Sequence, residues 1–173
     1  MPLKSIRSWL GLERPDDTPD LKPLRDTLEA LDGLEPDRAR YLGAFAYLLG
    51  RVAHADEHVS PEETRVMEAL VTEHGGLGAD QAVVVVHLAQ ANNRLFAGTA
   101  NFLIAREFAA MADYDQKLAL MRCLFAVAAT DDAISTTEEG EIHRIARELR
   151  IDQPDLVALR VAHRRHLPGL SGA

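Results

Sequence analysis

The chain has 173 residues, of which 47% are apolar and only 5% aromatic, and it carries a formal charge of −8 at pH 7. That length suits one ordinary domain with short tails, and the acidic balance argues against general affinity for nucleic-acid phosphate while favouring cations. A single cysteine, Cys123, excludes an intrachain disulfide and makes a reducing cytoplasm the expected setting, and no apolar run has the length needed to span a bilayer.

The first segment, residues 1–14, places Leu3, Ile6, Trp9 and Leu10 at helical spacing with Lys4, Arg7 and Arg14 nearby. Lys4 and Arg7 interrupt its apolar residues and no small-residue cleavage site follows, so it is not a convincing signal peptide. It predicts an amphipathic helix over residues 2–12, which either packs on its own domain or docks on a membrane or partner. Residues 15–36 read as a polar, proline-flanked linker, Arg14 to Asp20, then a short helix from Lys22 to Leu31 that stops at Asp32-Gly33.

A helical domain is expected over residues 37–167, followed by a disordered tail over 168–173. Its first helix runs from about Asp37 to His54, with Tyr41, Phe45, Leu48, Leu49 and Val52 on one stripe. Helices follow at Pro61 to His74, ending at Gly75-Gly76, and at Ala79 to Asn93. The run Val83-Val84-Val85-Val86 is the one place where a strand is plausible, but the length of the segment and the lack of pairing candidates favour helix. Four more helices are predicted at Thr99 to Met111, Asp115 to Thr130, Thr136 to Arg150 and Pro154 to His166.

The pattern repeats. With Asp56 placed over Asp131, Leu49 falls on Leu124, Val52 on Val127, Val59 on Ile134, Ser60 on Ser135, Glu63 on Glu138, Met67 on Ile142 and Leu70 on Ile145. One offset of 75 residues therefore holds from a helix, across an acidic loop and into the next helix. The expected fold is all-α, about seven helices built from two helix-loop-helix repeats related by a pseudo-two-fold axis, each repeat covering the apolar stripe of the other.

Each loop reads Asp-x-x-(Val/Ile)-Ser-x-x-Glu, and the first lies in "HADEHVSPEE", which holds four carboxylates and two imidazoles and no basic residue. Ser60 and Ser135 stand where an N-cap belongs, Glu63 and Glu138 complete a capping box three residues later, and Pro61 suits the first helical position. Asp56 and Asp131 follow the negative end of a helix, where a carboxylate is disfavoured by about 0.3–1 kcal/mol. Turn formation is one reason to place an aspartate there. The other is that the repeat brings both loops to one pole, so that Asp56, Glu63, Asp131 and Glu138 share a small volume. Two carboxylates 4 Å apart repel by about 4 kcal/mol at an effective dielectric of 20, and four need protons, arginines or a cation to relieve them. Oxygen-only ligation suits Ca²⁺ or Mg²⁺ better than Zn²⁺.

Two sharper assignments fail on the residues. An EF-hand register ending at Glu63 puts Val52 and His54 at the first ligand positions and Glu57 where Gly belongs, and the second copy puts Val127 and Ala129 at those ligand positions. Zinc held by His54 and His58 needs one helical face, yet the helix is expected to end between them, and the second copy has Ala129 and Ala133 in their places. Elsewhere, Cys123 lies on an apolar stripe and reads as a buried, inert thiol. His74, His87, His143, His163 and His166 are expected to face solvent or bond the backbone. The basic cluster "RVAHRRH" suits a helix C-terminus or an acidic partner. No Gly-rich phosphate loop, GxSxG or HExxH motif is present.

The paired phrases "ADEHVSPEE" and "TDDAISTTEE", with "NFLIAREFAAMADYDQKLALMRCLFAVAATDD" between and across them, resemble the TerB-like, tellurite-resistance-associated family over about Asp37 to Leu167. That family also includes the N-terminal domain of a membrane-anchored DnaJ-type co-chaperone. The resemblance implies an all-helical fold with internal two-fold symmetry, no established catalysis, a link to tellurite and other chemical stress, suspected metal binding and membership of membrane-associated complexes. Its acidic positions carry over onto Asp56, Glu63, Asp131 and Glu138. The family often has Gly after each Asp, where this chain has Glu57 and Asp132.

Two functions follow. The first is a non-enzymatic, stress-associated protein whose acidic pole binds a divalent cation through Asp56, Glu63, Asp131 and Glu138. The alternative is a protein-interaction or co-chaperone-like module that docks on a membrane-associated stress complex, with the loops serving only as helix caps. Neither invokes a catalytic residue, nucleic acid or an evident small-molecule substrate. The setting is cytoplasmic, with residues 2–12 the candidate for peripheral contact with the inner membrane.

Overall fold

A computed structural model describes residues 33–95 and 99–167. The expectations for residues 2–12, for the short helix at 22–31 and for the tail at 168–173 lie outside these. Seven α-helices are described: α1 Pro36–Ala53, α2 Pro61–Gly75, α3 Ala79–Leu95, α4 Thr99–Met111, α5 Tyr114–Ala128, α6 Thr136–Glu148 and α7 Gln153–Ala162. Short 3₁₀ turns lie at Ala129–Asp131 and Arg164–His166. The architecture is all-α, and no strand occurs among the described residues. The valine run lies inside α3, where Val85 and Val86 are buried.

α1 is the axis of the fold. It packs against α2, α3, α4, α5 and α6, and every residue from Leu42 to Ala53 is buried. The apolar face is therefore wider than the single stripe expected, as befits a helix surrounded by others. Gly50 permits the close approach of α3, because a Cβ there would collide with the Asn93 amide. That amide instead donates to Tyr47 O at 3.1 Å and Ala89 O at 2.9 Å. Tyr41 bridges Phe45 and Phe108, with ring centroids 6.2 and 5.2 Å away.

One charged residue lies inside this apolar axis. The Arg51 side chain is 1% exposed. Its Nε donates to Glu141 Oε1 at 2.8 Å, and its Nη1 donates to Glu148 Oε2 at 2.7 Å and to Asn101 O at 3.3 Å. It thereby ties α1 to α6 and α4. Tyr47 adds a hydrogen bond to Asn101 Oδ1 at 2.6 Å. A buried guanidinium is tolerated because its donors meet carboxylates and a carbonyl.

Helix ends differ from expectation where 3₁₀ turns intervene. α5 closes at Ala128 rather than Thr130, because Ala129–Asp131 tightens into a 3₁₀ turn. α7 starts at Gln153 and closes at Ala162, before the turn that carries His166. α6 closes at Glu148, and Arg150 takes a left-handed φ of 57°. Ile151 N–H then reaches back to Ala146 O at 2.9 Å. α2 ends on Gly76 at φ 60°, the residue best suited to that conformation.

Candidate functional site

The two acidic loops have the same backbone. The caps of α1 and α5, His54 and Ala129, sit at φ/ψ of −88°/−1° and −80°/−1°. Glu57 and Asp132 take left-handed φ values of 66° and 67°. These are the positions where the family often has Gly, so the left-handed turn is kept here by two acidic residues. Ser60 and Ser135 then enter α2 and α6 as extended N-caps.

Both predicted capping boxes form. Ser60 Oγ accepts the Glu63 N–H at 3.1 Å while Glu63 Oε2 accepts the Ser60 N–H at 2.7 Å. Ser135 and Glu138 repeat this at 3.2 and 2.7 Å. The glutamates are driven inward by this geometry, and Glu63 and Glu138 are only 3% and 5% exposed.

The loops meet at one end of the molecule. Ser60 Oγ donates to Asp131 Oδ1 at 3.3 Å, and α2 packs against the 3₁₀ turn that carries Asp131. Burial foremost, with Asp131 and Glu138 adding to it against the hydrogen bonds from Ser60, pushes the Glu63 carboxyl up to about 7. Burial raises Glu138 as well, helped by Asp56 and Asp131. Each buried glutamate thus feels the field of the other loop. Asp56 also has a turn function, since its Oδ1 accepts the His58 N–H at 3.0 Å. The second carboxylate oxygen of Asp56 and of Asp131 makes no hydrogen bond among the described residues.

Among the described residues, no three His, Cys, Asp or Glu side chains converge tightly enough to hold a metal by themselves. A dehydrated, all-protein cage is therefore not built at this pole. The EF-hand register also fails in space, because Val52 and Val127 are fully buried in the core. His54 and His58 form no zinc pair. His54 Nε2 is buried without a hydrogen-bond partner, and burial together with Arg94 lowers the affinity of this imidazole for a proton. His58 is exposed.

Several residues do more than the sequence suggested. His166 Nδ1 donates to Asp132 O at 3.0 Å, and His166 O accepts the Ile134 N–H at 2.6 Å. The C-terminal basic cluster thus braces the second acidic loop. His87 and His163 bond backbone carbonyls as expected. His74 is exposed, as expected, but its Nε2 also lies 3.3 Å from Cys123 Sγ and its ring is tilted against Phe45 at 5.4 Å. Cys123 is buried, and burial pushes its thiol up to about 12, so it is protonated and inert.

The family model described as "Tellurite resistance protein TerB" matches residues 42–161. Neither a curated protein nor a solved structure matches the chain. The match spans most of the chain and contains both acidic loops, all seven helices in whole or in part, and the buried Arg51 centre. The chain belongs to the TerB tellurite-resistance protein family.

Proposed function

We propose that this chain is a non-enzymatic, stress-associated TerB-family module whose acidic pole takes up one hydrated divalent cation. The observation that carries the proposal is the meeting of the two loops, through Ser60 and Asp131, around Asp56, Glu63, Asp131 and Glu138, none of which is paired with an arginine among the described residues. The donor set is hard oxygen, which fits Mg²⁺ or Ca²⁺ and not zinc. The lack of three converging ligands fits an ion that keeps much of its water, as Mg²⁺ does when one or two carboxylates hold it. Asp56 and Asp131, each with an oxygen to spare, would hold it, and Glu63 and Glu138 would supply the surrounding negative field. The bound ion would offset repulsion between the loops and fix them to each other.

A thermal melt tests this. At 100 times the dissociation constant, an ion that binds only the folded chain raises stability by about 2.7 kcal/mol. Asp56→Asn and Asp131→Asn should each remove most of that rise. No ion-specific shift in the parent, at fixed ionic strength, would sink the proposal.

A second reading has its own support. Glu63 and Glu138 already commit one oxygen each to capping, so the loops are complete as structural parts. The chain is then an interaction or co-chaperone-like module for a membrane-associated stress complex in the cytoplasm. Val157 and Val161, 47% and 56% exposed and one turn apart on α7, offer such a module an apolar contact. No helix among the described residues is long and apolar enough to cross a membrane. Membrane or partner recovery that depends on Trp9, without any cation response, would favour this reading.

A further inference from the structure

Away from the acidic pole, α4, the start of α5 and the end of α6 enclose an open hollow of about 610 Å³. Four cations line it: Arg106 from α4, Lys117 from α5, Arg147 from the last turn of α6 and Arg150 just beyond that helix. Among the described residues, none has a hydrogen-bonded or ion-paired side chain. By contrast, Arg40, Arg51, Arg65, Arg144 and Arg160 are all paired with glutamates. The one carboxylate in the wall, Glu148, is already bonded to the buried Arg51. In a chain with a formal charge of −8, four uncompensated cations around one concavity form a local field opposite to that of the whole.

Ordinary causes explain only part of this. Arg147 and Arg150 lie at the negative end of α6, where cations are favoured. Lys117 lies in the first turns of α5, at the positive end of a helix, where a cation is disfavoured. Arg150 holds a left-handed φ of 57° at a position usually given to Gly. Phe102 also lines the hollow, one turn before Arg106 on the same helix face, and is 56% exposed. A flat apolar surface therefore stands beside the cations, inside a volume typical of small-molecule sites.

We propose that this hollow binds a small organic polyphosphate of the nucleoside di- or triphosphate class. Arg106, Lys117, Arg147 and Arg150 take the phosphates, and Phe102 takes the face of the base. Guanidinium groups suit phosphate oxygens because they donate two parallel hydrogen bonds, and base–aromatic stacking tolerates any base. Concavity favours a discrete ligand over an extended anionic surface. The proposal does not depend on the cation reading of the acidic pole.

Calorimetric titration of the full chain with ADP, pyrophosphate and adenosine tests it. Saturable binding of ADP is expected, with weaker binding of pyrophosphate and none of adenosine. Arg106→Gln and Arg147→Gln should each weaken ADP about tenfold, the scale of one charge-assisted contact. Phe102→Ala should weaken ADP and leave pyrophosphate unchanged. Arg150→Gly is the most telling variant: relief of the left-handed strain should raise the thermal midpoint while ADP affinity falls. Arg65→Gln, at an arginine outside the hollow, should change nothing. Absence of saturable binding to both phosphates, or equal losses in Arg65→Gln and Arg106→Gln, would overturn the proposal. So would binding of the chain to anionic lipid vesicles that depends on these cations while free ADP and pyrophosphate show none.

Discussion

His54–Ser60 and Ala129–Ser135 follow one backbone path, with a left-handed residue at the same place and a capping box at the same end. Their surroundings differ. The second loop is held from outside by His166, through Asp132 O and the Ile134 N–H. The first has no such brace among the described residues, and the helix before it carries Arg51, where the repeat has Ala126. Residues that the two halves share build the turn and the cap. Residues that they do not share tie each half to the rest of the molecule.

The largest effect is expected where the halves differ most. Arg51→Met leaves Glu148 as an unpaired, largely buried charge and Glu141 with only the exposed Arg144, and should lower stability by about 3 kcal/mol. Replacing both glutamates by leucine in the same background should recover most of that loss. Urea unfolding measures both. A loss under about 1 kcal/mol for Arg51→Met would show that the network adds little to the joining of α1 and α6.

The pole should make stability depend on pH. Folded Glu63 keeps its proton up to about 7, whereas its ordinary value is 4.5. Between those values the folded chain binds more protons than the unfolded one, so stability falls as pH rises through that window and levels off above it. The total is on the order of 3 kcal/mol. Glu63→Gln preserves an oxygen for the Ser60 N–H and should flatten that slope, leaving the variant more stable than the parent at pH 8. An unchanged slope would place the titration elsewhere.

The caps sharpen the comparison further. Ser60→Ala and Ser135→Ala should each cost about 1 kcal/mol. Ser60→Ala should cost slightly more, because it also removes the contact to Asp131. Identical losses would mean that the Ser60–Asp131 hydrogen bond adds nothing measurable. The smallest effect is a gain: Glu57→Gly and Asp132→Gly should each raise stability by a few tenths to about 1 kcal/mol. Relief of left-handed strain and of like charge is partly offset by greater freedom in the unfolded chain. A loss in either variant would show that the acidic side chain, and not only the turn, holds its loop.

Much of this was legible from spacing. Periodicity placed the helices, because burial on one face repeats every turn, and Ser-x-x-Glu placed two of their starts through local capping. Helix ends were less legible, because the 3₁₀ turn at Ala129–Asp131 and the left-handed Arg150 continue the helical hydrophobic spacing while changing the hydrogen bonding. The repeat suggested that the two loops could lie together, but not that Ser60 would bond Asp131. The pairing of Arg51 with Glu141 and Glu148 did not follow from it either, since it joins residues 90 and 97 positions apart. An arginine inside "AYLLGRVA", and two glutamates seven apart on one face of α6, were the only traces. The His74–Cys123 contact left no trace, because neither residue type at those positions demands the other.

The two loops are proposed to form one cation site rather than two. Calorimetric titration of Mg²⁺ and of Ca²⁺ into the full chain at pH 8 and fixed ionic strength measures this through stoichiometry. The expected result is one ion per chain, weakened about tenfold or more by Asp56→Asn and equally by Asp131→Asn, since each removes a charge from the same site. Two independent ions, each lost with its own aspartate, or no saturable binding at all, would contradict it.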